Sequence, residues 1–432
     1  MAKNSRFQLP PSLQHHDFRL FWIGRLLSTT GSQMQFIAVN WHIFNLLRDQ
    51  TYTIELFGRS FELGAQALGL GAVGLVRVIP IIIFGLWGGI LADTMDRRKL
   101  MLWVQALAMI FSGLLAYITF TGQDTVFFIY LLSAAGAGAT AIDNPARQSI
   151  IPSLVPRQHF ANAVSLNTLM YQIANIGGPA VAGLLVGRFD VGLVYVIDAI
   201  SFGAVVISLL LMEYRGAPSS KTAKMDWASI KEGFQFTFGT RIIRSTMLLD
   251  FIATFFASAR SMLPIVAENI LQVGASGYGL LSTAQAVGSL VAGSILSVRD
   301  ELDKQGKVLL VSVGIYGLAT AVFGFSTIFW LSYVLFALTG AADTVSTVIR
   351  GTLRQLMTPD ELRGRMTSVN MLFFMGGPQL GELEAGLVAA VWGAPFAIIT
   401  GGVATVILTA LIAWGYPSLR QYNNAAELAT DD

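Results

Sequence analysis

Long apolar stretches alternate with short polar segments along nearly all of the 432 residues of the chain. A helix that crosses a lipid bilayer needs about 20 mostly apolar residues. Twelve stretches meet this length and predict membrane-spanning helices at residues 18–47, 67–92, 99–121, 125–150, 161–186, 191–213, 246–271, 277–298, 307–326, 328–352, 363–390 and 394–416. The pattern therefore predicts an all-α membrane protein with twelve transmembrane helices.

The residue composition agrees with a chain that lies mostly in lipid. Hydrophobic residues make up 54% of the chain and charged residues 12%, whereas a soluble domain carries about 25% charged residues. The net charge of +2 is too small to favour a nucleic-acid partner. The sequence has no cysteine, which excludes disulfides, thiolate metal sites and cysteine nucleophiles. It also has no nucleotide-binding motif or metal-ligand spacing, so we predict no cofactor, no metal and no enzymatic activity.

The distribution of basic residues predicts the orientation in the membrane. Lys and Arg near the ends of spanning helices stay on the cytoplasmic side. Of the 28 Lys and Arg residues, we assign twenty to the tails and loops, with the helix ends that adjoin them, that are cytoplasmic if the Arg97–Lys99 loop is cytoplasmic, and three (Arg48, Arg59 and Arg188) fall outside. With twelve crossings, both termini are then expected in the cytoplasm of a cell whose inner membrane holds the protein.

The two halves of the chain repeat each other at a constant shift of 203 residues. The shift places Arg147 on Arg350, Pro156 on Pro359, Ser165 on Ser368, Asn167 on Asn370, Gly178 on Gly381 and Gly183 on Gly386. Such a duplication predicts two pseudo-symmetric six-helix bundles. The predicted organisation is a cytoplasmic tail at 1–17, a bundle at 18–213, a cytoplasmic linker at 214–245, a second bundle at 246–416 and a tail at 417–432.

The second half of the linker has the pattern of an amphipathic helix. Trp227, Ile230, Phe234 and Phe238 share one helical face. Asp226 is placed to cap the start of this helix. We expect the helix to lie at the cytoplasmic surface of the membrane, and a plain solvated linker is the alternative.

The loop between the second and third predicted spans contains the most specific motif, GGILADTMDRRK at Gly88–Lys99. Its spacing of Gly89, Asp93, Arg97 and Arg98 resembles the loop signature of the major facilitator superfamily. The resemblance implies a cytoplasmic latch that favours the outward-open state, with a purely topogenic basic loop as the alternative. Thr94 and Asp96 depart from the usual pattern, and in the second half Ser297 stands where the acidic residue is expected. We therefore expect one strong latch and one weak latch.

The fifth predicted span contains NIGGPAVAG, Asn175 to Gly183. Gly178, Pro179 and Gly183 resemble the antiporter motif of the same superfamily, with Ala182 in place of a glycine. Small residues allow close helix packing, and a proline bends a helix. The resemblance implies export rather than import.

Charged side chains inside the bilayer are costly, so each one is a functional candidate. Asp143 and Arg147 share one helical face, as do Asp343 and Arg350. These four residues are interpreted either as two structural ion pairs or, for the carboxylates, as proton carriers. Glu382 and Glu384 are further proton-coupling candidates, with helix contacts as the alternative role.

The first span carries polar residues on roughly one face, namely Arg25, Thr29, Gln33 and Asn40. In the superfamily this helix lines the substrate cavity, and so the resemblance makes these residues substrate-cavity candidates. Arg260 in the seventh span is a further one. Asp198 in the sixth span is predicted to pair with Arg188.

From Asp17 to about Pro417 the chain resembles the drug and siderophore exporter branch of the superfamily. The resemblance rests on HDFRLFWIGRLLSTTG, GGILADTMDRRK, DNPARQSIIPSLVP, WASIKEGFQF, PDELRGRM and GGPQLGELEAG. It implies a monomer that exports an amphipathic small molecule by alternating access, with protons and membrane lipids as further partners. A lipid or lysolipid flippase on the same fold, and a non-transporting receptor or scaffold, are the alternatives.

Overall fold

The computed structural model describes residues 9–56, 59–215, 227–299, 303–359 and 362–423, and it is built almost entirely of helices. In chain order the elements are α1 (His16–Leu46), β1 (Thr51–Leu56), β2 (Arg59–Gly64), α2 (Ala65–Thr94), α3 (Arg97–Phe120), α4 (Val126–Leu154), α5 (Phe160–Arg188), α6 (Val191–Leu211), α7 (Trp227–Gly239), α8 (Arg241–Phe256), α9 (Leu263–Ile265), α10 (Gly274–Ser297), α11 (Gln305–Phe325), α12 (Phe329–Met357), α13 (Arg363–Trp392), α14 (Ala394–Gly415) and α15 (Pro417–Gln421).

Ten helical segments in the described part of the chain are long and apolar enough to cross a membrane. The helices α1 and α13 are 31 and 30 residues long but are not among those ten. In α1 the reason is its polar middle, which includes Gln33, Gln35 and Asn40. The membrane class is therefore established, while the count of twelve spans stays a prediction.

The prediction of an all-α chain is wrong between α1 and α2, where the chain forms a β-hairpin. Thr51 pairs with Gly64 and Leu56 pairs with Arg59 in an antiparallel register. The sequence of β1, TYTIEL, is rich in β-branched and aromatic residues that favour strands. The hairpin is short and separates two long apolar helices, so the hydropathy pattern alone gives only a polar gap.

The predicted seventh span, 246–271, is not one continuous helix. The helix α8 begins earlier, at Arg241, and ends at Phe256. A 3₁₀ turn (Arg260–Met262), α9 and a π-helical turn (Val266–Ile270) follow. Pro264 lies in the first turn of α9, where its missing N–H costs no helical hydrogen bond.

The chain forms two compact units, and the second includes a segment from the N-terminal half of the sequence. Unit 1 comprises Met1–Val39 and Ile79–Ala223, and unit 2 comprises Asn40–Val78 and Lys224–Asp432. The predicted bundles at 18–213 and 246–416 therefore differ from the compact units at residues 40–78, which cluster with the C-terminal helices. We refer to these residues as segment 40–78.

Each unit has its own apolar core. In unit 1, α3 packs against α4 and α6 around buried residues that include Phe18, Met101 and Ile150. In unit 2, α11 packs against α12 and α14, and α8 packs against α13, with Leu249 and Leu309 fully buried.

The predicted linker helix is present as α7, and it packs against α8 and α13. Phe234 and Phe238 stack with ring centroids 5.9 Å apart, and Phe238 lies 6.0 Å from Phe373 of α13. These aromatic side chains therefore contact protein. The position of the helix at the lipid surface remains a prediction, and its proposed cap, Asp226, lies outside the described residues.

Candidate functional site

The residues that join α2 to α3 cap α3 and contact α4 in unit 1. Asp96 caps α3, because its carboxylate accepts hydrogen bonds from the backbone N–H groups of Arg98 and Lys99 at 2.9 and 3.1 Å. Arg97 donates to the carbonyl of Ser149 in α4 at 3.2 Å. The helix α2 carries Gly89 and Asp93 in its last two turns, but their side chains lie outside the description, and the latch role of Asp93 remains a prediction.

Arg98 satisfies the carbonyl groups at the end of α6. Its guanidinium donates to the carbonyls of Leu209, Leu210 and Tyr214 at 2.7, 3.0 and 3.1 Å. The last carbonyls of a helix have no partner within the helix and form the negative end of its dipole. A cation is therefore favourable at this position for two reasons.

A polar cluster in unit 1 joins α1, α4 and α5. The guanidinium of Arg25 is buried (4% exposed) and donates to the Tyr171 hydroxyl at 2.8 Å. The same guanidinium lies 5.6 Å from the centre of the Tyr171 ring, within the range of a cation–π contact. Arg147 forms an ion pair with Asp143 at 3.4 Å and donates to Asn144 at 2.6 Å. Arg25 interacts electrostatically with both members of that pair.

The structure thus brings the predicted residues Arg25, Asp143 and Arg147 close together, and it places the predicted Gln33 about two turns further along α1. Sequence reasoning missed two of their partners, Tyr171 and Asn175. Gln33 donates to Asn175 of α5 at 2.6 Å. The spacing of four between Asn167, Tyr171 and Asn175 places them on one face of α5, and this pattern could have indicated Tyr171 and Asn175. Thr29 is half-buried on α1, and Asn40 is buried further along it, within unit 2.

The motif of α5 places a glycine against α1. A Cβ added to Gly178 would lie 2.6 Å from the Cβ of Gln33 and 3.0 Å from the carbonyl oxygen of Thr30. Only glycine allows this approach without displacement of one helix. Pro179 and Gly183 are buried in the same helix.

A second ionic cluster lies in unit 2. Arg350 of α12 forms ion pairs with Asp250 of α8 at 2.5 Å and with Asp343 at 3.5 Å. Arg350 and Asp250 are buried, whereas the side chain of Asp343 is 48% exposed. The predicted pairing of Arg350 with Asp343 is present, but the nearer partner, Asp250, is 100 residues away along the chain and was missed as a partner.

Glu382 of α13 is buried beside α2. Its carboxylate lies 2.8 Å from the point that a Cβ on Gly74 would occupy. It interacts electrostatically with Arg77 and Arg260, which lie far from it in the sequence. Glu384 is half-buried on another face of the helix.

Segment 40–78 meets the rest of unit 2 through four further contacts. Arg48 forms an ion pair with Glu268 at 2.6 Å, and the rings of Trp41 and Tyr278 stack 5.7 Å apart. A Cβ on Gly386 would lie 2.6 Å from the Cα of Gly71. The strand β2 contacts α13. We call this set of contacts the seam of unit 2.

Asp198 does not pair with Arg188 as predicted. Its carboxyl is fully buried and accepts a hydrogen bond of 2.6 Å from the Ser112 hydroxyl, whereas Arg188 is exposed at the end of α5. The two residues are ten apart in sequence, but the turn between α5 and α6 points them in different directions. Among the described residues, no group of three or more His, Cys, Asp or Glu side chains is placed to hold a metal ion.

Comparison with known proteins identifies the class. Residues 8–431 match the model of the transmembrane secretion effector family (MFS_3). The chain belongs to this family of membrane transporters within the major facilitator superfamily. The match covers both units, so the resemblance predicted from short motifs is confirmed over nearly the whole chain.

Two characterised relatives align over almost their full length. The staphyloferrin A transporter of Staphylococcus aureus (strain NCTC 8325 / PS 47) is 23% identical over 402 residues, which cover 90% of this chain and 94% of that protein. The enterobactin exporter EntS of Escherichia coli O1:K1 / APEC is 24% identical over 422 residues, which cover 96% and 95%. The relatives thus support the siderophore exporter branch.

Solved structures agree on the fold. A bacterial homologue of the lysosomal transporter Spinster, in an inward-facing and occupied conformation, superposes with a TM-score of 0.69 at 14% identity and covers 94% of this chain and 98% of its own. A bacterial homologue of the iron transporter ferroportin in an inward-facing state gives a TM-score of 0.66 at 14% identity, with 94% and 99% covered. At such identities the similarity concerns the fold alone.

Proposed function

We propose that this protein exports an amphipathic small molecule of the siderophore or drug-like class across the cytoplasmic membrane. The observation that carries the proposal is the family match over residues 8–431, together with relatives of nearly equal length that carry siderophores. The proposed activity is transport without a covalent step. In the proposed membrane orientation, the Arg97–Lys99 loop and both termini face the cytoplasm.

The buried polar clusters support a cargo site along α1, α4 and α5. Charged side chains inside a membrane are rare and mark substrate or ion pathways. Arg25 and Arg147 carry two positive charges against the single carboxylate of Asp143, while Tyr171 and Phe21 offer aromatic surface to Arg25. Such a cluster suits a cargo with both acidic and aromatic groups.

Alternating access is proposed to use the seam of unit 2 and the loop at Asp93. The contacts of segment 40–78 lie on the side opposite the Arg97–Lys99 loop in the predicted topology, so the seam serves as the external gate. Asp93 is proposed as the cytoplasmic latch. Asp93→Asn is then expected to slow transport and leave cargo binding intact, and unchanged transport by that variant would reject the latch.

Proton influx is proposed as the driving force, with Glu382 and Glu384 as the candidates on α13. Glu382 is the stronger candidate for a link to the gate, since it lies against Gly74 of segment 40–78 and beside Arg77. Loss of its charge would alter the balance of this cluster. Glu382→Gln and Glu384→Gln, tested separately for proton-linked transport, show which of the two, if either, takes part in the coupling.

The proposal is tested with the purified protein in liposomes that enclose an alkaline or an acidic interior. Staphyloferrin A and enterobactin are the siderophore probes, and ethidium is the drug-like probe. When a proton gradient is imposed, we expect at least one probe to accumulate against its own concentration gradient. This accumulation is expected to stop when a protonophore collapses the proton gradient. Transport that persists with the protonophore contradicts proton coupling, and no movement of any probe contradicts the cargo class.

A further inference from the structure

Asp198 is the most deeply buried acidic residue that the proposed transport cycle leaves without a role. It lies in the middle of α6, and its side chain is fully inaccessible to solvent. One carboxyl oxygen accepts the Ser112 hydroxyl of α3 at 2.6 Å, and the other oxygen has no hydrogen-bond partner. A carboxylate with a full charge and one bare oxygen is unfavourable in such a place.

The surroundings supply polar groups but no counter-charge. Gln35 of α1 donates to the Ser112 hydroxyl at 2.9 Å, so that hydroxyl must give its own proton to Asp198. Ser201 lies beside the carboxyl and donates to the backbone carbonyl of Asp198 at 2.7 Å. Among the described residues, no Arg, Lys or His contacts this carboxyl.

The titratable groups on the neighbouring helices lie elsewhere. On α6 the nearest is Tyr195, one turn before Asp198, and on α3 it is Tyr117, whose side chain is 59% exposed. On α1 they are Arg25, six residues before Gly31 and hydrogen-bonded to Tyr171 of α5, and His42, seven residues beyond Gln35 in the part of the helix that belongs to unit 2. On α5, Arg188 is exposed. A positive charge that could hold Asp198 ionised is thus not provided by α1, α3, α5 or α6.

The helix α1 packs directly against the carboxyl of Asp198. Gly31 faces Asp198 so closely that a Cβ at this position would lie 2.9 Å from the free carboxyl oxygen and 2.3 Å from the Ser201 hydroxyl. The helix α1 runs through both units, with the boundary at Val39 and Asn40. The helix that seals Asp198 is therefore one that takes part in both halves of the molecule.

We propose that Asp198 is a proton-binding site. Its carboxyl holds a proton while Gly31 of α1 is packed against it, and it releases that proton when this contact opens and water reaches the carboxyl. The link of this site to cargo movement rests on the proposed function above. The proposal that Asp198 holds a proton does not depend on that proposed function.

Infrared spectroscopy of the purified protein in lipid tests the proton directly. The parent protein at neutral pH is expected to show the C=O stretch of a protonated carboxyl that is lost in Asp198→Asn. Asp190→Asn is the matched control, since Asp190 is the exposed cap of the same helix and asparagine caps equally well. A difference spectrum of parent and Asp198→Asn without this band overturns the proposal.

A second pair of variants tests the seal. Gly31→Ala pushes α1 away from the carboxyl, so the band is expected to be lost or to fall by more than half at neutral pH. Gly24→Ala crowds α1 against α6 to a similar degree, because its Cβ would lie 2.6 Å from the Ser208 hydroxyl, and it is expected to keep the band. Equal bands in both variants overturn the role of α1.

The liposome assay with staphyloferrin A and enterobactin tests whether proton binding at Asp198 is coupled to transport. Asp198→Asn is expected to lose accumulation driven by the proton gradient and to retain movement down a cargo gradient, while Asp190→Asn keeps both. Accumulation equal to the parent would mean that the proton is not coupled. If the parent moves neither probe, the proposed function fails, and the infrared result still decides whether Asp198 holds a proton.

Discussion

Arg98, one of the charges from which the membrane orientation is predicted, also has a structural role. In the sequence it is one of three consecutive basic residues, and its motif suggests a role in gating. In the structure it donates to two carbonyls at the end of α6 and to the carbonyl of Tyr214 just beyond it. A residue can therefore carry a topogenic, a structural and a gating role together, and substitutions must separate them.

Arg98→Ala is expected to lower the stability of the protein by about 1–3 kcal/mol, the cost of leaving partly buried carbonyls without partners. Lys99→Ala is the matched control, since it removes the same charge from an exposed neighbour and is expected to have little effect. Unfolding in detergent, followed by tryptophan fluorescence, measures both. Equal stability of the two variants would contradict the capping role.

Asp17 binds the backbone that follows α6, where Arg98 also binds the carbonyl of Tyr214. Burial raises the pKa of this carboxyl, but the backbone N–H groups of Glu213 and Tyr214, at 3.1 and 2.8 Å, and His16 outweigh it, so the pKa lies below its usual range. The charged form is therefore the stabilising one. Its contribution is complete above the ordinary Asp pKa of about 3.9 and is lost as the pH falls through the lower folded value.

Asp17→Asn is accordingly expected to flatten the loss of stability between about pH 4 and lower pH. The parent and Asp96→Asn, a cap variant that keeps Asp17, are compared with it in thermal unfolding at several pH values. A parent and a variant with the same acid dependence would show that Asp17 does not contribute.

The charged residues show what sequence can and cannot predict about the candidate site. The pair Asp143–Arg147 follows from helical spacing, because residues four apart share a face. The pair Asp250–Arg350 does not, since it joins α8 and α12 and no local pattern encodes that distance. Tyr171 was missed for the same reason, as its partner Arg25 lies 146 positions away.

The helices pack through glycines that occupy equivalent places in the two halves. Gly178 of α5 meets Thr30 and Gln33 of α1, and Gly381 of α13 meets the carbonyls of Thr254 and Phe255 of α8. The 203-residue repeat places these two glycines on each other. The same contact, between the first and fifth spans of one half and of the other, therefore recurs, as a duplication predicts.

Gly178→Ala is expected to destabilise the contact of α5 with α1 by about 1–3 kcal/mol through overpacking. Gly177→Ala is the adjacent control, because a Cβ there meets no atom within 4 Å and alanine favours helix. Thermal unfolding compares the two. A loss of stability in Gly177→Ala as large as that in Gly178→Ala would argue for a backbone effect instead of helix packing.

Arg350→Gln is expected to cost about 3–5 kcal/mol, because Asp250 is then buried without its cation. The double variant with Asp250→Asn removes the unpaired charge and is expected to recover part of that loss. Unfolding by denaturant measures the three proteins. A double variant less stable than Arg350→Gln would show that the two residues do not act as a pair.

The elements themselves were predictable to different degrees. Long apolar runs gave the helices in most cases, since a spanning helix is set by hydropathy and length. The hairpin and the broken seventh span were not predicted, because a short strand pair and a break within an apolar run leave the average hydropathy unchanged. The β propensity of TYTIEL could have indicated the first strand.

The whole chain divides in a way that the duplication does not suggest. Sequence repeats place the division at the linker, whereas the compact units assign segment 40–78 to unit 2. The seam that results, with Arg48–Glu268 and Gly71–Gly386 among its contacts, depends on close approach between distant parts of the chain. Periodicity and composition carry no record of it.

A disulfide across the seam tests whether it must open. A Cβ on Gly64 would lie 3.9 Å from the Cα of Ala390, close enough for a disulfide between Gly64→Cys and Ala390→Cys. The natural chain has no cysteine, so no other thiol interferes. Oxidation is expected to stop transport of the siderophore probes, and reduction to restore it.

The single variants are the controls for this experiment and should transport under oxidising and reducing conditions alike. A cross-link confirmed by mass spectrometry that leaves transport unchanged would contradict a gate at the seam.

The packing of segment 40–78 with the C-terminal helices also has a consequence for biogenesis. During synthesis this segment enters the membrane with the first helices, long before α10 and α13, the helices that it packs against, have left the ribosome. Until then Trp41, Gly71 and Gly74 must be sheltered by lipid, by the insertion machinery or by temporary neighbours. A chain cut at the linker would leave its C-terminal fragment without this segment, so the two fragments are expected to be stable only when made in the same cell.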